Sequence, residues 1–178
     1  TALSFARFDQ YMAPYYAAGL NDSTVAAEEA RTLVSCLWLK VNEPKMRTVQ
    51  SMALGGVDAE GADASNALTR LCLEVCADLR QPFPNTSLRI HPGTPEDLYD
   101  LALESVLRGS GNPMMLNDEV WIPAMLRRGY ELPDAREYYN MGCVEMMISA
   151  CQPYWQGVGG VSFPVVLNEV LTTASGQH

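Results

Sequence analysis

The chain has 178 residues, a length that suits one domain, with two small ones as the outside option. It carries 12 Lys and Arg against 21 Asp and Glu, a formal charge of −9, which argues against nucleic acid or an anionic membrane surface as the main partner. Hydrophobic residues at 48% and charged residues at 19% permit a buried core and exclude disorder by composition. No run approaches the roughly 18–20 apolar residues that cross a bilayer, and Thr1-Ala2-Leu3-Ser4 has neither a basic nor an apolar leader region. Five cysteines, Cys36, Cys72, Cys76, Cys143 and Cys151, are odd in number and thinly spread. That predicts free thiols in a reducing, cytoplasmic compartment.

In chain order, Ala30, Leu33, Val34, Leu37, Trp38 and Val41 follow helical spacing, so a helix is expected over about 24–41, capped by Asp22 or Ser23 and stopped by Pro44. A glycine-bearing loop follows, from Leu54-Gly55-Gly56-Val57-Asp58 to Gly61. A second helix is predicted over about 64–80, with Leu68, Leu71, Cys72, Val75 and Leu79 on one stripe and Pro82 and Pro84 beyond it. Thr86-Ser87-Leu88-Arg89-Ile90-His91 reads as a short strand. Thr94, Pro95 and Asp97 open a helix to Leu107 through a hydroxyl cap, a first-turn proline and an acid. After the turn at Gly109-Ser110-Gly111-Asn112-Pro113, Met114-Met115-Leu116 reads as a buried strand. Asn117-Asp118 caps a helix to about Arg128, and Pro133-Asp134 opens another. Tyr138 to Ile148 is expected as strand and loop, with a last helix from Phe163 or Pro164. Strands alternating with helices predict an α/β layout in one cooperative unit. The non-Met start and a helix barely begun over Leu167 to Ala174 predict a piece of a longer polypeptide.

Most candidate sites dissolve into structure. Cys72 and Cys76, one helical turn apart, lack a completing ligand set and are expected as core thiols. A cysteine–histidine pair would have to use His91 beside Pro92 or the terminal His178. Gly55-Gly56 and Gly109-Ser110-Gly111 lack the lysine and hydroxyl residue of a phosphate loop.

Tyr139-Asn140-Met141-Gly142-Cys143-Val144-Glu145-Met146-Met147 resists that treatment. If this stretch is extended, Cys143 and Glu145 point the same way. Gly142 allows close approach, and the flanks are apolar. A thiol in such surroundings keeps its proton, which suits loss of a hydrogen atom rather than attack as a thiolate. A nearby carboxylate can act as general base. By composition alone, the same residues better describe a buried structural cysteine beside an ion-paired glutamate.

Gly142-Cys143-Val144-Glu145 resembles the cysteine-loop motif of the glycyl radical enzymes, the pyruvate formate-lyase-like group. Further words resemble that family in order. They are Arg7-Phe8-Asp9-Gln10-Tyr11 with Pro14-Tyr15-Tyr16, Leu37-Trp38-Leu39-Lys40 with Asn42-Glu43, and the glycine loop with Asp63-Ala64 and Asn66. Ser87-Leu88-Arg89-Ile90-His91 with Thr94-Pro95, Gly111, Pro113, Asn117-Asp118-Glu119 and Asp134-Ala135-Arg136 complete the series. The resemblance implies part of a ten-stranded α/β barrel wrapped in helices, with residues 1–178 a single segment and the cysteine loop near 140–147.

It also implies the chemistry. A radical SAM activating enzyme installs a glycyl radical, protein-derived and outside this segment, and no other cofactor or metal is bound. Cys143 passes hydrogen atoms between that glycine and the substrate, and Glu145 deprotonates a substrate hydroxyl so that a neighbouring group leaves. The family further implies a homodimer when full length, anaerobic cytoplasm, and no nucleic-acid or membrane partner. Cys143-Val144 in place of two adjacent cysteines speaks against acyl transfer and for the eliminases, that is, dehydratases and C–O, C–N or C–S lyases, although arylacetate decarboxylases share the pattern. Met146 replaces a common proline, and Gly157, two places after Trp155, replaces the aspartate of glycerol-dehydratase-like members, which argues against that substrate. Leu126-Arg127-Arg128-Gly129-Tyr130 mimics the radical-glycine word but reads as a helix end. Without that word and the N-terminal part of the barrel, the segment is expected to be inactive alone. The rivals are a non-catalytic truncated paralogue and an ionic thiol enzyme, the latter predicting fast alkylation of Cys143.

Overall fold

A computed structural model describes residues 2–43, 49–143, 145–148 and 162–174. Four strands, β1 (Ala2–Arg7), β2 (Val49–Gly55), β3 (Asn85–Ile90) and β4 (Met114–Asn117), lie side by side in chain order as a parallel sheet. Parallel neighbours need long crossovers. Helices α1 (Phe8–Asn21), α2 (Ala27–Val41), α3 (Ala67–Leu79) and α4 (Glu96–Leu107) supply them. Beyond β4 come α5 (Asp118–Arg127), α6 (Leu132–Arg136), the antiparallel pair β5 (Tyr138–Met141) and β6 (Glu145–Ile148), and α7 (Phe163–Ala174).

Register sorts the sheet into two unlike faces. Ser51 pairs with Asn85, Ala53 with Ser87 and Gly55 with Arg89, so these small and polar residues share one face. Met52, Leu54 and Leu88 occupy the other and are fully buried beneath residues of α2, α3 and α4, among them Trp38, Leu71 and Leu98. Phe8, Met12 and Tyr16 of α1 pack against the same cluster. A parallel sheet with sequential strands and its crossover helices on one side is the α/β layout that the alternation of elements predicts. The opposite face takes a second, smaller cluster built from Leu116, Met125, Ala135, Tyr138 and Ile148.

The periodic helices formed where the sequence placed them, but their caps differ. Asn66 closes a capping box with Thr69 at the start of α3, and Asn117 accepts from the Glu119 N–H at 2.9 Å at the start of α5. Neither Asp22 nor Ser23 caps α2. Its N-cap is Ala26, while Asp22 ends α1 and turns its carboxylate to the Thr24 N–H and hydroxyl. The Thr94 hydroxyl likewise leaves α4 uncapped and accepts from the His91 N–H at 2.9 Å. Pro44, the expected stop for α2, lies outside the described residues; Asn42 closes that end by donating to the carbonyl oxygens of Trp38 and Phe83. Leu126 to Tyr130 is a helix end, with Gly129 at φ +91 just past α5. Among the described residues no helix is long and apolar enough to cross a membrane.

Candidate active site

The polar face of the sheet is organised by a buried ion pair. Arg89 grips Asp118 with two bonds, Nε to Oδ1 and a terminal nitrogen to Oδ2, both at 2.9 Å. The side chains are 0% and 2% exposed. The Tyr138 hydroxyl donates to the same carboxylate at 2.7 Å, and the Val57 N–H donates at 3.0 Å. The second terminal nitrogen of Arg89 donates to the carbonyls of Arg136 and Tyr138, and the guanidinium lies 4.1 Å from the Tyr138 ring centroid. Paired in this way, the two charges satisfy each other in a site that would penalise either alone. Burial pushes the Tyr138 phenol far up from its usual pKa. Gly56 is required here: at φ +83, a Cβ would stand 2.6 Å from Arg89 Nε.

Beside this pair, Arg7 donates to the carbonyls of Gly55 and Val57 and to Glu137. Burial, then the neighbouring Arg89, draws its pKa down, while Glu137 opposes them. Asp9 accepts from the Gly55 N–H at 2.7 Å and the Thr69 hydroxyl at 2.5 Å. The glycine loop is therefore held from both sides by buried charge.

From this knot β5 crosses the polar face in the direction opposite to β3. Arg89 meets Tyr138, Ser87 donates to the Asn140 side chain at 2.8 Å, and Asn85 donates to the Gly142 carbonyl at 3.0 Å. Alternate residues of β3 thus grip alternate residues of the β5 segment through side chains, not through a backbone ladder. Ser4 and Ser51 add bonds to the Asn140 carbonyl at 2.7 and 2.9 Å. Asn140 is fully buried.

This rail delivers Cys143. Gly142 sits at φ +63 and turns the chain, and Cys143 occupies the turn before β6 begins at Glu145. The Cys143 N–H donates to the Glu145 carboxylate at 3.0 Å, and Asn85 donates to the Cys143 carbonyl at 2.8 Å. Cys143 and Glu145 do not lie side by side on one extended strand as expected: Cys143 is in the turn, Glu145 opens β6, and the contact between them runs from the Cys143 backbone, not its thiol. The expected dry enclosure is not supplied by the described residues, since Cys143 is exposed. Met141 below it is buried and Met146 and Met147 are half-buried, so the apolar flanks support the hairpin rather than cover the sulfur.

The other candidates fall where the sequence put them, or outside the described residues. Cys72 and Cys76 are buried core thiols, and burial pushes both pKa values up. His91 lies just beyond β3, where its Nδ1 accepts from the Gly93 N–H and its Nε2 therefore donates to Asp63 at 3.0 Å. Cys143 sits at the Asn85 end of that strand, so the imidazole is about 20 Å away at the rise of a strand, and the two do not pair. Cys151, Trp155, Gly157 and His178 lie outside the described residues. Sequence reading missed Asn85, Asn140 and the Arg89–Asp118 pair as a working unit. The available signal was Asn85, Ser87 and Arg89 at every second place of a strand, a polar face that only a specific network can bury.

The pyruvate formate lyase-like family model matches residues 1–175. The chain is 34% identical over 184 residues to a (2S)-3-sulfopropanediol dehydratase of Klebsiella oxytoca, an alignment that covers 96% of this chain and 22% of that protein. It is 29% identical over 187 residues to an isethionate sulfite-lyase of Oleidesulfovibrio alaskensis, with 96% and 22% covered. Among solved structures, a glycyl radical enzyme from Archaeoglobus fulgidus superposes with a TM-score of 0.77 at 30% identity, covering 84% of this chain and 21% of that one. A B12-independent glycerol dehydratase from Clostridium butyricum gives 0.74 at 38% identity, covering 82% and 20%. The chain spans about a fifth of the length of these relatives.

Proposed function

The chain belongs to the pyruvate formate lyase-like family, and from that membership we propose that it is the cysteine-bearing segment of a glycyl radical dehydratase or lyase. The reading is carried by the Gly142-Cys143-Val144-Glu145 turn, which ties the cysteine backbone to the carboxylate at 3.0 Å. Residues 1–178 form one wall of the family's ten-stranded barrel, with the polar face of the sheet turned inward. A glycyl radical, installed in another part of the polypeptide by a radical SAM activase, supplies the unpaired electron. An exposed sulfur on a tethered turn fits that arrangement, because the radical-bearing segment and the substrate must both reach it from outside this chain.

The thiol of Cys143 gives up its hydrogen atom. The sulfur then takes a hydrogen atom from the substrate carbon that bears a hydroxyl. The carboxylate of Glu145 accepts the hydroxyl proton, the carbonyl forms, and the group on the adjacent carbon leaves with its bonding electron pair. Cys143 finally returns its hydrogen atom to the product carbon. The remaining barrel walls of the full-length enzyme exclude solvent and oxygen, which would otherwise oxidise the sulfur. Homodimerisation and an anaerobic cytoplasmic setting complete the reading.

The substrate is a small hydroxylated compound, and the dehydratase and sulfite-lyase relatives favour a 1,2-diol or a hydroxysulfonate. Activated full-length enzyme is expected to eliminate water, sulfite or amine from one of 3-sulfopropanediol, 1,2-propanediol, isethionate or choline. Full activation, seen as a glycyl radical spin signal, with no turnover of any of them and acyl transfer from pyruvate instead, would contradict the proposal. Glu145→Gln should suppress elimination more than exchange of substrate hydrogen; equal loss of both would make the carboxylate merely structural.

A further inference from the structure

We propose that Asn85 is a positioning residue for the Cys143 thiol, an assignment that rests on the reading of Cys143 as the hydrogen-atom donor. One amide group of Asn85 donates to two consecutive carbonyls, those of Gly142 and Cys143, at 3.0 and 2.8 Å. Gly142, at φ +63, turns the chain between β5 and these two carbonyls. The Cys143 N–H is bound on the other side by Glu145. Both backbone polar groups of Cys143 are therefore fixed, and rotation about its Cα–Cβ bond is the sulfur's remaining freedom.

Asn85 is itself well anchored. It pairs in register with Ser51 of β2, and its carbonyl accepts from the Asn140 amide at 3.3 Å. The sheet thus sets the height at which the sulfur is presented. Hydrogen-atom transfer requires reacting atoms about 3–3.5 Å apart, and a misplacement of about 1 Å can cost roughly a hundredfold in rate. An aspartate at this place has the same shape but no N–H, so it would turn both bonds into acceptor–acceptor contacts.

The test is Asn85→Asp in the activated full-length enzyme, with Asn85→Ser measured in the same way should the aspartate variant not fold. The expected result is a parental glycyl radical spin content, KM within about twofold, and kcat lowered roughly 10- to 100-fold. The deuterium isotope effect on kcat, with substrate labelled at the carbon that loses hydrogen, should rise. Ser87→Ala, which loosens the rail one rung further from the sulfur, should lower Tm and leave that isotope effect unchanged. A parental kcat in the Asn85 variants would overturn the assignment. So would a loss of kcat that tracks lost spin or lost folded protein with an unchanged isotope effect. Turnover retained by Cys143→Ser would sink the reading of Cys143 itself, and the Asn85 assignment with it.

Discussion

Leu88 and Arg89 are neighbours in β3 and both are fully buried, yet they are held in opposite ways. Leu88 faces the helices and is fixed by the apolar surface it shares with Trp38, Leu54 and Leu71. Arg89 faces the other side and is fixed by directed bonds to Asp118 and to the carbonyls of Arg136 and Tyr138. Apolar burial is non-directional, so the helical face specifies that something of the right volume be present. The polar face specifies where each atom lies. The proposed role of Cys143, a sulfur presented at a set height, calls for the second kind of face.

Removing one partner of the buried pair should have the largest effect. Arg89→Met leaves Asp118 buried without its counter-charge and should destabilise the fold by about 3–5 kcal/mol, read as loss of soluble protein or a sharply lowered Tm. A variant of parental Tm would erase the contrast between the faces. On the helical side, Leu88→Ala should cost about 2–5 kcal/mol, whereas Leu88→Met should cost under about 1.5. Equal damage from both Leu88 variants would mean that this face is as geometrically demanding as the other. Gly56→Ala should cost about 1–3 kcal/mol, since it places a side chain at positive φ against Arg89, and thermal unfolding of the variant measures it.

The smallest effect is one of pH. Burial raises the pKa of Asp9 above its ordinary value, against the bonds from Gly55 and Thr69. Because the folded-state value is the higher one, the contribution of Asp9 to stability is fully present below about pH 3.9 and is lost as pH rises through the folded-state value. Asp9→Asn should therefore remove part of the decline in Tm on going from acid to neutral pH. Parallel Tm–pH curves for parent and variant would show that Asp9 carries no such penalty.

What was legible in the sequence followed from periodicity. The stripes of α2 and α3 are apolar at helical spacing and pack against one cluster, as their pattern predicts. The run Thr86 to His91 announced a strand, which the structure places at Asn85–Ile90, and its alternate Asn85, Ser87 and Arg89 are the residues that hold β5. β1, β2 and α1 were not legible. α1 contains Pro14 and exposes Tyr11 and Tyr15, so no clean apolar stripe marks it. In β2, Ser51 is as buried as Met52 and Leu54, because the polar face is covered by the β5 segment. Burial of polar groups by a distant piece of chain leaves no local pattern. The same reason explains the candidate site. The proximity of Cys143 and Glu145 is local and was readable from their spacing, whereas the exposure of the sulfur and the grip of Asn85 depend on residues some 58 positions away.

The account stands on Cys143 as the group that moves hydrogen between the enzyme radical and substrate. Cys143→Ser in the activated full-length enzyme tests it most directly, with spin content and turnover measured on one sample. A parental glycyl radical signal with turnover abolished is the predicted result. Turnover at a tenth of the parental rate or more, at equal spin content, would contradict it.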